Sequence, residues 1–266
     1  MCTIFAVKTD SGTLVGRNFD WLQSGGTMHF VPSQRIYGQK TFGLFLIEQM
    51  GADRPYEGIN EKGLFIGCAV TPIDLNPPSD KTEDTLKFDE LGIMRFILER
   101  ASNVDEAIKL MDNVGLRNSF LDYYLRLHYL IADSAGNVVF YQSGENAIAQ
   151  VLSNGEGDVI TNFPRSINVG NCWRYNTVSL KIASVKSMES AMNLLGIVKQ
   201  DITIWSSVYN LSERSVWTCI EDDYENIQKF SLSKIREGYS SLDFATLRIP
   251  LLDIREQVRQ HLYQPA

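Results

Sequence analysis

Met1-Cys2-Thr3-Ile4-Phe5-Ala6-Val7, then Asp10-Ser11-Gly12, then Thr13-Leu14-Val15-Gly16-Arg17-Asn18-Phe19-Asp20-Trp21 open the chain. Short apolar runs on either side of a turn triplet are strand punctuation. The pattern continues outward with apolar runs at Met28 to Val31 and Phe42 to Met50. Another run, Gly63 to Val70, is bracketed by Asn60-Glu61-Lys62 and Thr71-Pro72, and reads as a buried strand after a tight turn. The N-terminal third is therefore mostly sheet.

Further along, helical spacing replaces alternation. Leu86 to Ala101 carries apolar Leu86, Ile93 and Ile97, and Val104 to Val114 is opened by a capping Asn103. Leu127 to Ala132 and Val138 to Tyr141 flank Asp133-Ser134-Ala135-Gly136-Asn137, which predicts a hairpin within Tyr124 to Gln142. Gln150 to Asn154 and Asp158 to Thr161 continue the strands, and Trp173 to Val185 and Ser187 to Val198 form a second helical pair. Ile202 to Tyr209, Ser215 to Ile220 and Asn226 to Leu232 return to strand. The order of strands, helices, strands, helices, strands implies an α+β fold with two antiparallel sheets and helices outside them. Without a repeat, low-complexity tract or linker, residues 1–266 read as one domain, with a core of about 2–232 and a polar, partly helical extension at 233–266.

The composition bounds the function. The chain has 266 residues, 44% of them apolar and 21% charged, enough for a sizeable core and unlike a disordered or fibrous chain. With 25 Lys and Arg against 32 Asp and Glu, the net charge of −7 gives no basis for nucleic-acid or anionic-membrane binding. Four scattered cysteines, Cys2, Cys68, Cys172 and Cys219, form neither a disulfide framework nor a metal-ligand spacing. No apolar run approaches the roughly 18 residues of a membrane span, and residues 1 to 30 lack a signal-peptide pattern, so a cytoplasmic location is expected.

The chemistry gathers at the start. Removing Met1 leaves a cysteine whose own α-amine sits beside its thiol. A thiol titrates near ~8.5 and an α-amine near ~7.7 to 8.0, so the amine can take the thiol proton near neutral pH without a histidine. An arginine beside the sulfur stabilises thiolate, and an acid beside the amine orients it; Arg17 and Asp20, three apart just past the second strand, offer such a pair. Strand alternation puts positions three apart on opposite faces, so their convergence on one site predicts a bend near Asn18.

Met1-Cys2-Thr3, Gly16-Arg17-Asn18-Phe19-Asp20-Trp21 and Gly58-Ile59-Asn60-Glu61-Lys62-Gly63-Leu64 together resemble the choloylglycine hydrolase family of N-terminal-nucleophile (Ntn) hydrolases. That family includes bile salt hydrolases and penicillin V acylases, and is similar to acid ceramidase and the isopenicillin N acyltransferases. The resemblance covers residues 2 to about 232. It implies a four-layer αββα sandwich, and a thioester acyl-enzyme formed from a small-molecule N-acyl substrate. It further implies Cys2 as nucleophile, Arg17 as the thiolate-stabilising arginine and Asp20 as the carboxylate on the amine. By the same resemblance Asn162, in Val159-Ile160-Thr161-Asn162-Phe163-Pro164, donates to the oxyanion, and Arg174, in Trp173-Arg174-Tyr175, supports charge.

Two departures narrow the substrate. Where bile salt hydrolases carry Asn or Tyr, this chain has Val70, which offers only its backbone N–H. Between Asn162 and Thr203 the steroid- and penicillin-active members carry a long insertion linked to their tetramer, and this chain has only about 40 residues. Bile salts and penicillin V are thus not the expected native substrates, and any homo-oligomer would not assemble through that element. Trp21, Met28, Phe30, Met50 and Phe65 are candidates to line an acyl pocket. His29, His128 and His261 lack ligand spacing, so neither a metal nor another cofactor is expected. Three functions remain open: a linear amidase, an acyltransferase or amide-forming enzyme using the same acyl-enzyme, and a silent binding protein that keeps Met1.

Overall fold

A computed structural model of the protein describes residues 1–71, 87–116, 126–142, 150–163, 172–221 and 223–247. The expectations placed on Leu86, Pro164, His261 and the tail from 248 lie outside those residues. The first part of the chain forms β1 (Cys2–Thr9), β2 (Gly12–Asp20), β3 (Thr27–Val31), β4 (Arg35–Ile36), β5 (Gln39–Lys40), β6 (Leu44–Glu48), β7 (Glu57–Asn60) and β8 (Phe65–Thr71). Then come β9 (Lys87–Phe88), α1 (Gly92–Arg100), α2 (Val104–Asn113), β10 (Gly115–Leu116), β11 (Arg126–Ala132), β12 (Asn137–Tyr141), β13 (Gln150–Val151) and β14 (Gly157–Ile160). The last part holds α3 (Trp173–Lys181), α4 (Met188–Ile197), β15 (Thr203–Asn210), β16 (Ser215–Ile220), β17 (Gln228–Ser231), β18 (Ser240–Asp243) and α5 (Phe244–Leu247).

Two antiparallel sheets stack face to face. One has six strands in the order β14-β1-β2-β15-β16-β17, the other eight in the order β13-β12-β11-β8-β7-β6-β3-β18. β1 and β2 are buried on both faces, which is why they read as near-continuous apolar runs. Alternate residues go to different cores. Ile4, Val15 and Phe19 meet Phe45, Phe65 and Leu130 of the opposite sheet, while Phe5, Val7 and Leu14 meet Val178, Leu195 and Val198 of the α3–α4 side. On the far face of the eight-stranded sheet, Leu46, Ile66 and Ile131 pack against Ile93, Ile97 and Ala107 of α1 and α2. The layers are therefore αββα, as the element order implies. Among the described residues no helix is long and apolar enough to cross a membrane.

Local signals explain most boundaries. Asn103 caps α2 by accepting from Glu106 N, and Ser187 and Ser190 form a reciprocal capping box at α4. The helix expected from Leu86 begins at Gly92, because Asp89 Oδ1 accepts from Leu91 N and Gly92 N and starts the first turn there. The Asn60 to Gly63 turn needs glycine: Gly63 has φ +84°, and a Cβ there would lie 2.4 Å from Leu211 O. Asn60 organises the turn, accepting from Lys62 N and Leu64 N while its amide donates to Leu98 O and Ala101 O at the end of α1. Part of the extension at 233–266 is also not a loose tail. β18 adds an edge strand beside β3, and Phe244 is buried edge-on against Trp205.

Candidate active site

Cys2 begins β1 opposite Phe19 of β2, so its side chain enters the space between the sheets while its backbone ends at the rim. Arg17 lies two residues before Phe19 and points the same way. Its Nη2 stands 3.7 Å from Cys2 Sγ, its Nη1 donates to Tyr56 O, and its Nε lies 3.1 Å from Glu57 Oε2. Both Arg17 and Glu57 are 0% exposed. Burial, the largest single influence, opposes the guanidinium charge, but the Glu57 carboxylate together with Cys2 and Cys68 outweighs it, so the charge is held more tightly than in water. A second thiol, Cys68 on β8, is pushed up to about 12 by burial despite the neighbouring Arg17, which leaves it protonated near neutral pH.

The backbone of Cys2 faces a different set of partners. Its nitrogen donates to Asn162 Oδ1 at 2.7 Å, and its carbonyl accepts from Arg174 Nη1 at 2.5 Å. Arg174 also donates to Thr3 Oγ1 and to Asn162 Oδ1, both at 3.0 Å, and lies 3.6 Å from Asp20 Oδ2. Two donors converging on Oδ1 fix the orientation of the Asn162 amide, whose Nδ2 donates to Val70 O at 2.7 Å. One amide hydrogen is left for a ligand.

The bend expected near Asn18 is absent. Arg17 and Asp20 lie on opposite faces of β2, as alternation dictates, and the strand pairs with β1 without a bend at Asn18. The irregularity is in β15, where one extra residue sits between Thr203 and Trp205 opposite Asp20 and Phe19. No bend is needed because Cys2 ends a strand, so its sulfur and its backbone address the two faces separately. The bulge brings Thr203 Oγ1 to Asp20 Oδ1 at 2.6 Å, while Gln200 Nε2 donates to Oδ2. Burial raises the Asp20 pKa above the usual carboxylate range, opposed by Thr203, Gln200 and Arg174. With Met1 in place the Cys2 nitrogen is a peptide nitrogen that donates to Asn162 Oδ1, and the Asp20 backbone carbonyl accepts from the Met1 nitrogen at 2.5 Å.

A cavity of about 240 Å³ opens at the sulfur. Cys2 and Arg17 form its floor, and Trp21, Met50, Val70, Leu91 and Leu127 are among its apolar walls. Phe65 is not among them. It is fully buried against Tyr209 at 4.8 Å between ring centroids, because its position on β8 faces the opposite sheet. Met28 and Phe30 belong to the same inter-sheet core. His128, with no ligand spacing in the sequence, is buried and bonded through Nε2 to Thr161 O, one residue before Asn162. Sequence reasoning also missed Glu57, Gln200 and Thr203. For Glu57 the available signal was a carboxylate just ahead of Gly58 and Ile59 at the head of a short strand, which must find partners if buried.

A family model of linear amide C–N hydrolases, choloylglycine hydrolase family, matches residues 2–196. The chain belongs to the choloylglycine hydrolase family. No curated protein matches this family member, but solved structures share its fold. One is a variant of the conjugated bile acid hydrolase of Clostridium perfringens, 17% identical over 91% of this chain and 96% of that one, with a TM-score of 0.67. The penicillin V acylase of Agrobacterium tumefaciens is 14% identical over 91% of both chains, with a TM-score of 0.65. The Caenorhabditis elegans orthologue of N-acylethanolamine-hydrolyzing acid amidase is 15% identical, covering 91% of this chain and all of its own, with a TM-score of 0.57. This choloylglycine hydrolase family member is accordingly placed among linear amide C–N hydrolases, and the likeness to solved structures carries its fold.

Proposed function

We propose that the chain, once Met1 is removed, is an N-terminal cysteine amidase that cleaves a linear, non-peptide N-acyl amide through a thioester on Cys2. The observation that carries this reading is the position of Cys2 Sγ, on the floor of a largely apolar cavity and 3.7 Å from a buried guanidinium. Met1 itself lines that cavity, so its loss would open space beside the sulfur for the leaving amine.

The sulfur attacks the amide carbon as its proton passes to the Cys2 α-amine. Arg17 stabilises the thiolate, and the remaining Asn162 Nδ2 hydrogen stabilises the oxyanion. Collapse breaks the C–N bond, and the protonated α-amine delivers its proton to the departing nitrogen. Water, deprotonated by the same amine, then attacks the thioester carbonyl and releases the acid and the thiol. Asn162 Oδ1 and Arg174 hold the nitrogen and carbonyl of Cys2 throughout.

The test begins with intact mass: the purified protein lacks one methionine, and an activated acyl donor adds one acyl group that Cys2→Ala abolishes. Hydrolysis of an N-acyl amino acid panel, with and without added amine, then distinguishes amidase from acyltransferase. A processed protein that forms no adduct with any acyl donor refutes the reading.

A further inference from the structure

Glu57 stands behind the nucleophile, and the cleavage steps above do not use it. It opens β7 in the eight-stranded sheet, yet its Oε1 accepts from three donors on β15 of the opposite sheet: Trp205 Nε1 at 2.9 Å, Ser207 Oγ at 2.7 Å and Tyr209 Oη at 2.9 Å. Three donors on one oxygen leave the carboxylate no rotation, and the other oxygen is thereby aimed at Arg17 Nε, 3.1 Å away. That approach lies off the hydrogen-bonding line, so charge rather than a directed bond holds the pair. The guanidinium, held at Nε, has its two terminal nitrogens on Tyr56 O and Cys2 Sγ.

We infer that Glu57 is a positioning residue of this site: anchored by β15, it pins the Arg17 guanidinium against the Cys2 sulfur and offsets part of the positive charge which that sulfur meets. The inference rests on the proposed role of Cys2. Its chemical sense lies in nucleophilicity, because an unopposed arginine would make the thiolate abundant but a weaker attacker. Other titratable groups around the pair are Cys68 on β8, Tyr56 before β7 and Tyr209 on β15, and all are unchanged in the variants below.

The experiment is the pH dependence of Cys2 alkylation by iodoacetamide in the processed protein, beside kcat and KM for N-acyl cleavage. Glu57→Gln keeps the shape and removes the charge, so the alkylation midpoint falls by about one pH unit while kcat drops at least about tenfold at similar KM. Glu57→Asp keeps the charge but retracts it by a methylene, so the midpoint stays and kcat still falls. A folded Glu57→Gln with an unmoved midpoint overturns the inference; if that variant does not fold, a Glu57→Asp protein with the parent's kcat overturns it. A parent that alkylates but cleaves no amide, with a midpoint that moves in Glu57→Gln, sinks the amidase reading and leaves the role of Glu57 standing.

Discussion

Replacing Asn162 separates its two jobs. In Asn162→Ala the Cys2 nitrogen and Arg174 Nη2 lose the acceptor they share, and the hydrogen reserved for the oxyanion disappears. One oxyanion donor is worth about 2.7 to 4 kcal/mol, so kcat falls by about 10² to 10³ with KM little changed. The stranded donors at a nearly buried position cost a further ~1 to 3 kcal/mol of stability, and at ~2 to 4 °C per kcal/mol the melting temperature drops by roughly 2 to 12 °C. Asn162→Asp keeps the acceptor and removes both donors, placing a negative charge where the oxyanion forms. It therefore loses at least as much kcat while holding the Cys2 nitrogen. Single-turnover thioester formation with an activated acyl donor, read beside thermal melts, makes the comparison. Rates within threefold of the parent in both variants would refute the oxyanion role and leave Asn162 as a clamp on the N-terminus.

Trp21→Ala raises KM for long acyl chains with little change in melting temperature, whereas Phe65→Ala costs about 3 to 5 kcal/mol of stability and leaves KM unchanged; an acyl-chain series with thermal melts distinguishes wall from core. Burial depresses His128 from 6.5 to about 4, so the unfolded chain binds the extra proton between those values. Stability from this group is complete above about pH 6.5 and is lost as pH falls to about 4, by roughly 3 kcal/mol. His128→Gln, which keeps a donor for Thr161 O, flattens that part of the melting-temperature profile relative to the parent. Gly63→Ala, forced to keep φ +84° with a Cβ 2.4 Å from Leu211 O, loses more than about 1 kcal/mol in chemical denaturation.

Alternation and caps carried most of the fold. The apolar runs at Thr3 to Val7 and Ile202 to Tyr209 became central strands, and Asn103 and Ser187 marked their helices, because those signals are local. Long-range pairing is not local: nothing within 240–243 announces that it will lie beside Thr27 to Val31. The Gly58-to-Leu64 motif was legible as a match, yet its work is architectural, since Asn60 ties a turn to the end of α1. Phe65 was misassigned because an aromatic next to a motif looks the same whether it faces a cavity or a core. Glu57, Gln200 and Thr203 were invisible because each acts through a residue far away in the chain, and Thr203 reaches Asp20 only through a bulge in β15.

The expected bend at Asn18 failed for a reason that bears on the chemistry. A residue at a strand's first position presents its side chain to one face and its backbone to the open end, so Cys2 is served by two partner sets that never meet. The sulfur faces Arg17 backed by Glu57; the carbonyl faces Arg174 backed by Asp20 through a 3.6 Å contact, and the nitrogen faces Asn162. Each set is a buried cation with its own buried carboxylate, close to neutral before reaction. Buried unpaired charge is costly, so this pairing lets two arginines sit within reach of a cysteine without unfolding the strand that carries it. On the proposed mechanism, one proton moving from sulfur to nitrogen would create the negative charge beside Arg17 and the positive charge on the side holding Asp20. Neither ion pair has to break, because the two charges form on opposite sides of one residue, each beside a separate ion pair.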